Sequence, residues 1–265
     1  TGYLSPTSGQ VLINNHDVST HPLEIQSMIG YLPEQNPLYE EMKVYDYLRF
    51  MSNVRGIKDD KFNIAIKKVI SECNLHEVVH KNISECSKGF KQRIGLAAAM
   101  IHDPKILILD EPVTGLDPNQ IIEIRQLIKG LAKKKLVLMS SHILQEIQAT
   151  VNRIIIINKG KIVADGSNEE LMSGFAGNTQ LTLEVKNATN EAIDSLPVEI
   201  PGIQLKDIIE NEESHIIQIN YSTEIDPRED IFKFAIKSKW SILEMSPYKK
   251  NLEDVFRSLT GTEVV

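Results

Sequence analysis

The stretch "ILILDEPVTGLDP", Ile106 to Pro118, decides the fold. Four aliphatic residues in a row form a strand too apolar to face water on either side, and such strands belong to parallel sheets covered on both faces. The run stops at two adjacent carboxylates, Asp110 and Glu111, followed at once by Pro112. In an open parallel sheet the crevice beyond the carboxyl ends of the strands is where ligands bind, so the pair stands where chemistry is expected. Carboxylates at a strand end have a second reading as merely solvated groups, and the surrounding sequence decides between the two.

Downstream, Asp117 and Pro118 form an N-cap and first-turn pair for a helix over Asn119 to Ala132. That helix is the crossover to a second apolar strand, "LVLM", which ends in Ser140, Ser141 and His142. A right-handed crossover brings these residues to the same sheet edge as the carboxylates. Upstream, "CSKGFKQRIGLAAAMIH" opens a long helix at Ser87, a natural N-cap, with Gly89 leaving the first-turn amides open to an anion. A capped helix alone is a weak signal.

The flanks complete the plan. "SPTSGQVLINNHDVS" predicts a short strand over Val11 to Ile13 and a turn at Asn14 and Asn15. "SMIGYLPEQNPLY" is a strand running into a Pro-broken loop, and residues 43–86 carry a helical pattern as an insert. "RIIIIN" continues the alternation of apolar strands and amphipathic helices, and "KGKIVADGS" closes it with a turn and an edge strand. Beyond Gly177 the composition changes to alternating strands and two helices. The expected organisation is an α/β domain over residues 1–177 and a small α+β domain over 178–265.

Composition narrows the function. A net charge of -7 gives no broad surface for nucleic acid; the basic run Lys133 to Lys135 is a solvated loop. Cys73 and Cys86 have neither disulfide-framework nor metal spacing, which points to a reducing, cytosolic setting. No apolar run approaches the roughly 20 residues of a membrane span. Thr1 is not a methionine, so the start is expected upstream. "HEVVH", His76 to His80, matches the zinc-protease H-E-x-x-H pattern, but two valines weaken the helix and no third ligand is identifiable.

Taken in order and spacing, "IGYLPEQNPLY", "CSKGFKQRIGLAAAMIHDPKILILDEPVTGLDP" and "SSH" resemble an ATP-binding cassette (ABC) ATPase over Thr1 to about Gly177. "GYLPE", "SKGFKQR" and the trailing "LEDVFRSLTG" are most similar to the ATP-binding subunits of exporters, the gliding-motility type above all. The resemblance implies a P-loop NTPase-like fold, with a parallel sheet core and a helical subdomain. It implies ATP and Mg²⁺ as cofactors, with Asp110 holding Mg²⁺ through water, Glu111 polarising the attacking water and His142 contacting the γ-phosphate. Asp117 would signal across a dimer interface, and Ser87 and Gly89 would contact the ATP of the opposite subunit. Where the family has a glutamine this chain has Glu34, expected at the Mg²⁺ and water site, with Gln35 as the second choice. Lys88 and Phe90 also depart from the usual signature.

No G-x-x-x-x-G-K-S/T occurs; Gly160 and Lys161 are followed by Ile162. The chain is expected to start just downstream of its phosphate loop, to bind ATP poorly by itself, and to leave an unprotected gap in its sheet. The implied partners are a membrane permease and a second ATPase subunit, in a homodimer peripheral to the inner face of the cell membrane. The alternatives are a non-transport cassette ATPase acting on ribosomes or DNA, and a degenerate cassette serving as a binding module.

Overall fold

The computed structural model describes residues 1–173, 179–211, 213–222, 224–248 and 252–261. The chain divides into two compact units, Thr1–Thr150 and Val151–Val265. The expected boundary at Gly177 lies outside the described residues.

The first unit opens with a hairpin of β1 (Leu12–Ile13) and β2 (His16–Asp17). Its turn residues Asn14 and Asn15 have φ of 50° and 64°, the left-handed geometry that a two-residue hairpin turn requires and asparagine tolerates. Helix α1 (Pro22–Met28) leads into β3 (Ile29–Leu32). The helical insert follows as α2 (Val44–Val54) and α3 (Asp59–Glu72). Residues 76–80, the H-E-x-x-H match, form turns rather than a helix, with Val78 buried and His76 and His80 exposed. The two imidazoles therefore do not share one helix face.

Helix α4 (Lys88–Met100), strand β4 (Ile106–Leu109), helix α5 (Pro118–Ala132), strand β5 (Leu136–Met139) and helix α6 (Leu144–Thr150) complete the unit. Strands β3, β4 and β5 make a parallel sheet in that order, with Leu32 opposite Leu109 and Leu109 opposite Met139. Leu32, Leu107 and Leu109 are buried in one core with Ile94 and Ala97 of α4, Ile101 just after it, and Ile124 and Ile128 of α5. Strand β5 has β4 as its partner on one side, and Leu136 and Leu138 are exposed at 65% and 56%. Among the described residues β5 is thus an edge strand of this sheet.

In the second unit β6 (Ile154–Asn158) and β7 (Lys161–Gly166) pair antiparallel, joined by Lys159 and Gly160 with φ of 48° and 75°. "RIIIIN", expected to continue the parallel alternation, is paired antiparallel with the strand that follows it. A continuous apolar run does not encode the direction of its partner, and the tight turn after it did. After α7 (Asn168–Ser173) come β8 (Thr179–Lys186), α8 (Asn190–Glu199), β9 (Ile203–Glu210), β10 (His215–Tyr221), α9 (Arg228–Lys237), β11 (Ser241–Tyr248) and α10 (Leu252–Thr260). The antiparallel sheet runs β11-β8-β10-β9. With the order β-α-β-β-α-β, this is the split β-α-β plan. Leu181, Leu183, Val185, Ile217 and Ile219 are buried on one sheet face with Ile193, Leu196, Ile231 and Phe234 from the helices.

Candidate active site at the carboxyl ends of the parallel strands

The in-register sheet sets the next residues of its strands, Pro33, Asp110 and Ser140, side by side. The backbone continues the ladder briefly past the strands, with Asp110 N–H donating to the Leu32 carbonyl at 2.8 Å and Ser140 N–H to the Leu109 carbonyl at 3.0 Å. The two carboxylates then turn apart because Glu111 adopts φ of 47°. That left-handed conformation is costly for a residue with a side chain and is held here by its neighbours.

Asp110 accepts a hydrogen bond from Ser140 Oγ at 2.6 Å, and Tyr31 Oη stands 3.5 Å from its other oxygen, at the far limit of such a bond. Burial, then the negative charge of Asp110 and this hydrogen bond, raise the Tyr31 phenol above its ordinary value. Glu111 has both carboxylate oxygens engaged. Oε2 accepts from Thr114 Oγ1 at 3.0 Å, and Oε1 lies 2.9 Å from His142 Nδ1. The Glu111 carboxylate is 16% exposed and the imidazole 68%, so the pair sits at a rim with the acid inside. A shielded carboxylate oriented by a hydroxyl and an imidazole, beside a second carboxylate, can hold and polarise a water molecule.

The helix starts are used differently. Asp117 caps α5, its Oδ1 accepting from Asn119 N–H at 3.1 Å and Gln120 N–H at 3.0 Å. Ser87 caps α4 through Phe90 N–H at 3.4 Å. Gly89 is buried rather than open: a Cβ there would lie 2.7 Å from the Gln120 side-chain carbonyl carbon. The first turn of α4 packs on that of α5, so the missing side chain serves close approach. Arg93 on α4 pairs with Glu123 on α5 and reinforces the same contact.

Glu34 and Gln35 are exposed on the loop after β3. That loop is anchored by Asn36, whose Nδ2 donates to the Lys91 carbonyl at 2.8 Å, and by Glu40, which accepts from Lys91 Nζ at 2.6 Å. The site thus joins Asp110, Glu111, Ser140 and His142 directly. Glu34 and Gln35 flank it through strand register, while Ser87, Gly89 and Asp117 belong to the neighbouring pair of helix starts. Sequence reasoning missed Tyr31, Thr114 and Asn36. Thr114 carried a usable signal, a hydroxyl three residues after Glu111 in a turn; Tyr31 and Asn36 reach their partners only through tertiary packing.

The donor set suits a hard cation. Asp110 and the hydroxyls beside it offer oxygen alone, and Mg²⁺ typically takes one or two carboxylates and completes its shell with water and phosphate oxygens. Among the described residues no cluster of three or more His, Cys, Asp or Glu side chains could cage a metal by itself.

The family described as "ABC transporter" matches residues 1–114. The ABC transporter ATP-binding protein NatA of Bacillus subtilis is 30% identical over 170 residues, covering 63% of this chain and 69% of NatA. YxlF of the same organism, described as an uncharacterized ABC transporter ATP-binding protein, is 35% identical over 196 residues. ABC transporter A family member 1 of Dictyostelium discoideum is 28% identical over 204 residues. The chain spans 64% of the length of YxlF and 23% of the Dictyostelium protein. A solved structure described as the ATP binding subunit of an ABC transporter superposes with a TM-score of 0.57 at 26% identity, covering 66% of this chain and 73% of that one.

Proposed function

The chain belongs to the ABC transporter family, among its ATP-binding subunits, and from that premise we propose that it hydrolyses ATP to drive an exporter, of the gliding-motility type. The observation that carries the ATPase reading is the meeting of Asp110, Glu111, Ser140 and His142 at one sheet edge. Phosphoryl transfer needs positioning and charge stabilisation more than covalent chemistry. Glu111 holds and polarises the attacking water, and His142, now on Glu111 Oε1, is free to swing to the γ-phosphate because it is largely exposed. Asp110 and Glu34, with Gln35 as the second choice, would hold Mg²⁺. When bound, that ion neutralises phosphate charge.

Ser87, Gly89 and Asp117 act across a dimer of two such subunits. The permease is met at the helical insert, where Phe50 and Val54 are exposed at 41% and 64% and Tyr39 of the preceding loop, 55% exposed, packs edge-on against Phe50. Among the described residues no helix is long and apolar enough to cross a membrane. The family reading places the subunit at the inner face of the cell membrane, held there by its permease. Residues 1–265 contain no phosphate loop of the G-x-x-x-x-G-K-S/T kind, so alone they hold ATP weakly.

The test is Glu111→Gln in full-length protein. Loss of a water-activating base lowers turnover about 10²–10⁴-fold, with ATP binding retained. Full hydrolysis by that variant overturns the assignment.

A further inference from the structure

Resting on the reading of this edge as an ATPase centre, we propose that Ser140 is a positioning residue that locks the two carboxylates to each other. Its hydroxyl donates to Asp110 Oδ1 at 2.6 Å and accepts from the Glu111 backbone N–H at 3.1 Å. One hydroxyl can do both, since it has a donor and two acceptor lone pairs. The consequence lies in the backbone. Glu111 stands at φ of 47°, and the Ser140 hydroxyl holds the amide of that peptide from the neighbouring strand.

Thr114 and His142 orient the Glu111 carboxylate from its far end. Ser140 fixes the peptide from which that side chain springs, together with the carboxylate beside it. The relative placement of the metal-side acid and the water-side acid is thereby set by one side chain just past β5, whose own backbone N–H is tied to the Leu109 carbonyl. Neither partner of this hydroxyl is a substrate atom, so Ser140 acts through Asp110 and Glu111.

The first experiment reads the tie without nucleotide or metal, by NMR amide exchange on residues 1–265. Ser140→Ala should speed exchange at the Glu111 amide roughly 5- to 10-fold, the loss of one ordinary hydrogen bond, with the amides within β4 and β5 unchanged. Ser140→Thr keeps the hydroxyl and should restore protection. The second experiment is steady-state ATP hydrolysis by full-length protein. Ser140→Ala should lower kcat about 10–100-fold, as loss of a group behind metal-site ligands does, with KM for ATP within about twofold because ground-state binding is untouched. Ser140→Thr should return kcat to near wild type.

Unchanged Glu111 exchange in Ser140→Ala overturns the tie. Faster exchange with wild-type kcat overturns the positioning role. General unfolding of the alanine variant moves the decision to Ser140→Thr, where a folded protein with low kcat overturns the proposal. If wild-type protein shows no Glu111-dependent hydrolysis the ATPase reading fails instead, and the exchange result still judges the tie.

Discussion

Gly30→Ala tests how closely β3 is seated on α4, the contact that brings the Glu34 loop to the carboxylates. A Cβ on Gly30 would lie 2.3 Å from the Ala99 carbonyl oxygen, 2.8 Å from Leu107 Cδ2 and 3.0 Å from Pro104 Cγ. The Leu107 methyl can rotate away, but the Ala99 oxygen is helix backbone and cannot. Relief requires α4 and β3 to separate by more than half an ångström, which opens the packing around Ile94, Ala97 and Leu107, all 0% exposed. Overpacking of this kind costs about 1–3 kcal/mol, and a clash with main chain puts Gly30 at the upper end. With roughly 2–4 °C of Tm for each kcal/mol in a protein of this size, the midpoint should fall by roughly 6–12 °C. The control is the same chemical change at Gly130, exposed on α5 with nothing within 4 Å of its would-be Cβ. There alanine should stabilise by about 0.5–1 kcal/mol, through helix propensity alone. The assay is thermal and urea unfolding followed by far-ultraviolet circular dichroism. Gly30→Ala within about 0.5 kcal/mol of wild type, or both variants moving the same way, refutes the claimed approach of β3 to α4.

Two further outcomes follow from buried titrating groups. Burial, and secondarily the Glu72 charge, push the Cys73 thiol up to about 12, so at pH 8 it stays protonated and out of reach. Native protein should therefore resist alkylation at Cys73 and react on adding denaturant; rapid native labelling, read by mass spectrometry, contradicts that burial. His102 is lowered from its ordinary value, first by burial and then by the Arg55 charge, while its Nε2 pairs with the Ile29 carbonyl at 3.1 Å. The folded chain then takes up this proton only below the pH at which the unfolded chain does. Its stabilising share is whole above about pH 6.5 and declines as pH falls from there toward the folded value, with a slope of at most about 1.4 kcal/mol per pH unit. His102→Gln should flatten the fall of urea midpoint between pH 7.5 and 5.5, and an unchanged slope contradicts the role.

What was legible in the sequence is what local patterns encode. Ile106–Leu109 reads as a strand because no face of it could meet water, and Asn14-Asn15 reads as a turn because both residues tolerate a positive φ. Gly89 reads as permissive, and only packing shows that its missing Cβ also makes room for the Gln120 side chain. The choice between Glu34 and Gln35 stays with ligand chemistry, since both are exposed on one loop. The Glu111–His142 pairing spans a whole crossover, so the pattern gives the shared edge while side-chain geometry gives the contact.

The shared edge itself rests on register, and register rests on the core. Leu32, Leu107 and Leu109 are each at most 1% exposed, so a slip of one residue in β4 would turn Leu107 and Leu109 out of the core and Ile106 and Ile108 into it. The same slip would point Asp110 at the opposite face, away from Tyr31 and the Ser140 hydroxyl. Burying those leucines and aiming that carboxylate are therefore one constraint. This is why the strand must be apolar up to the residue before Asp110.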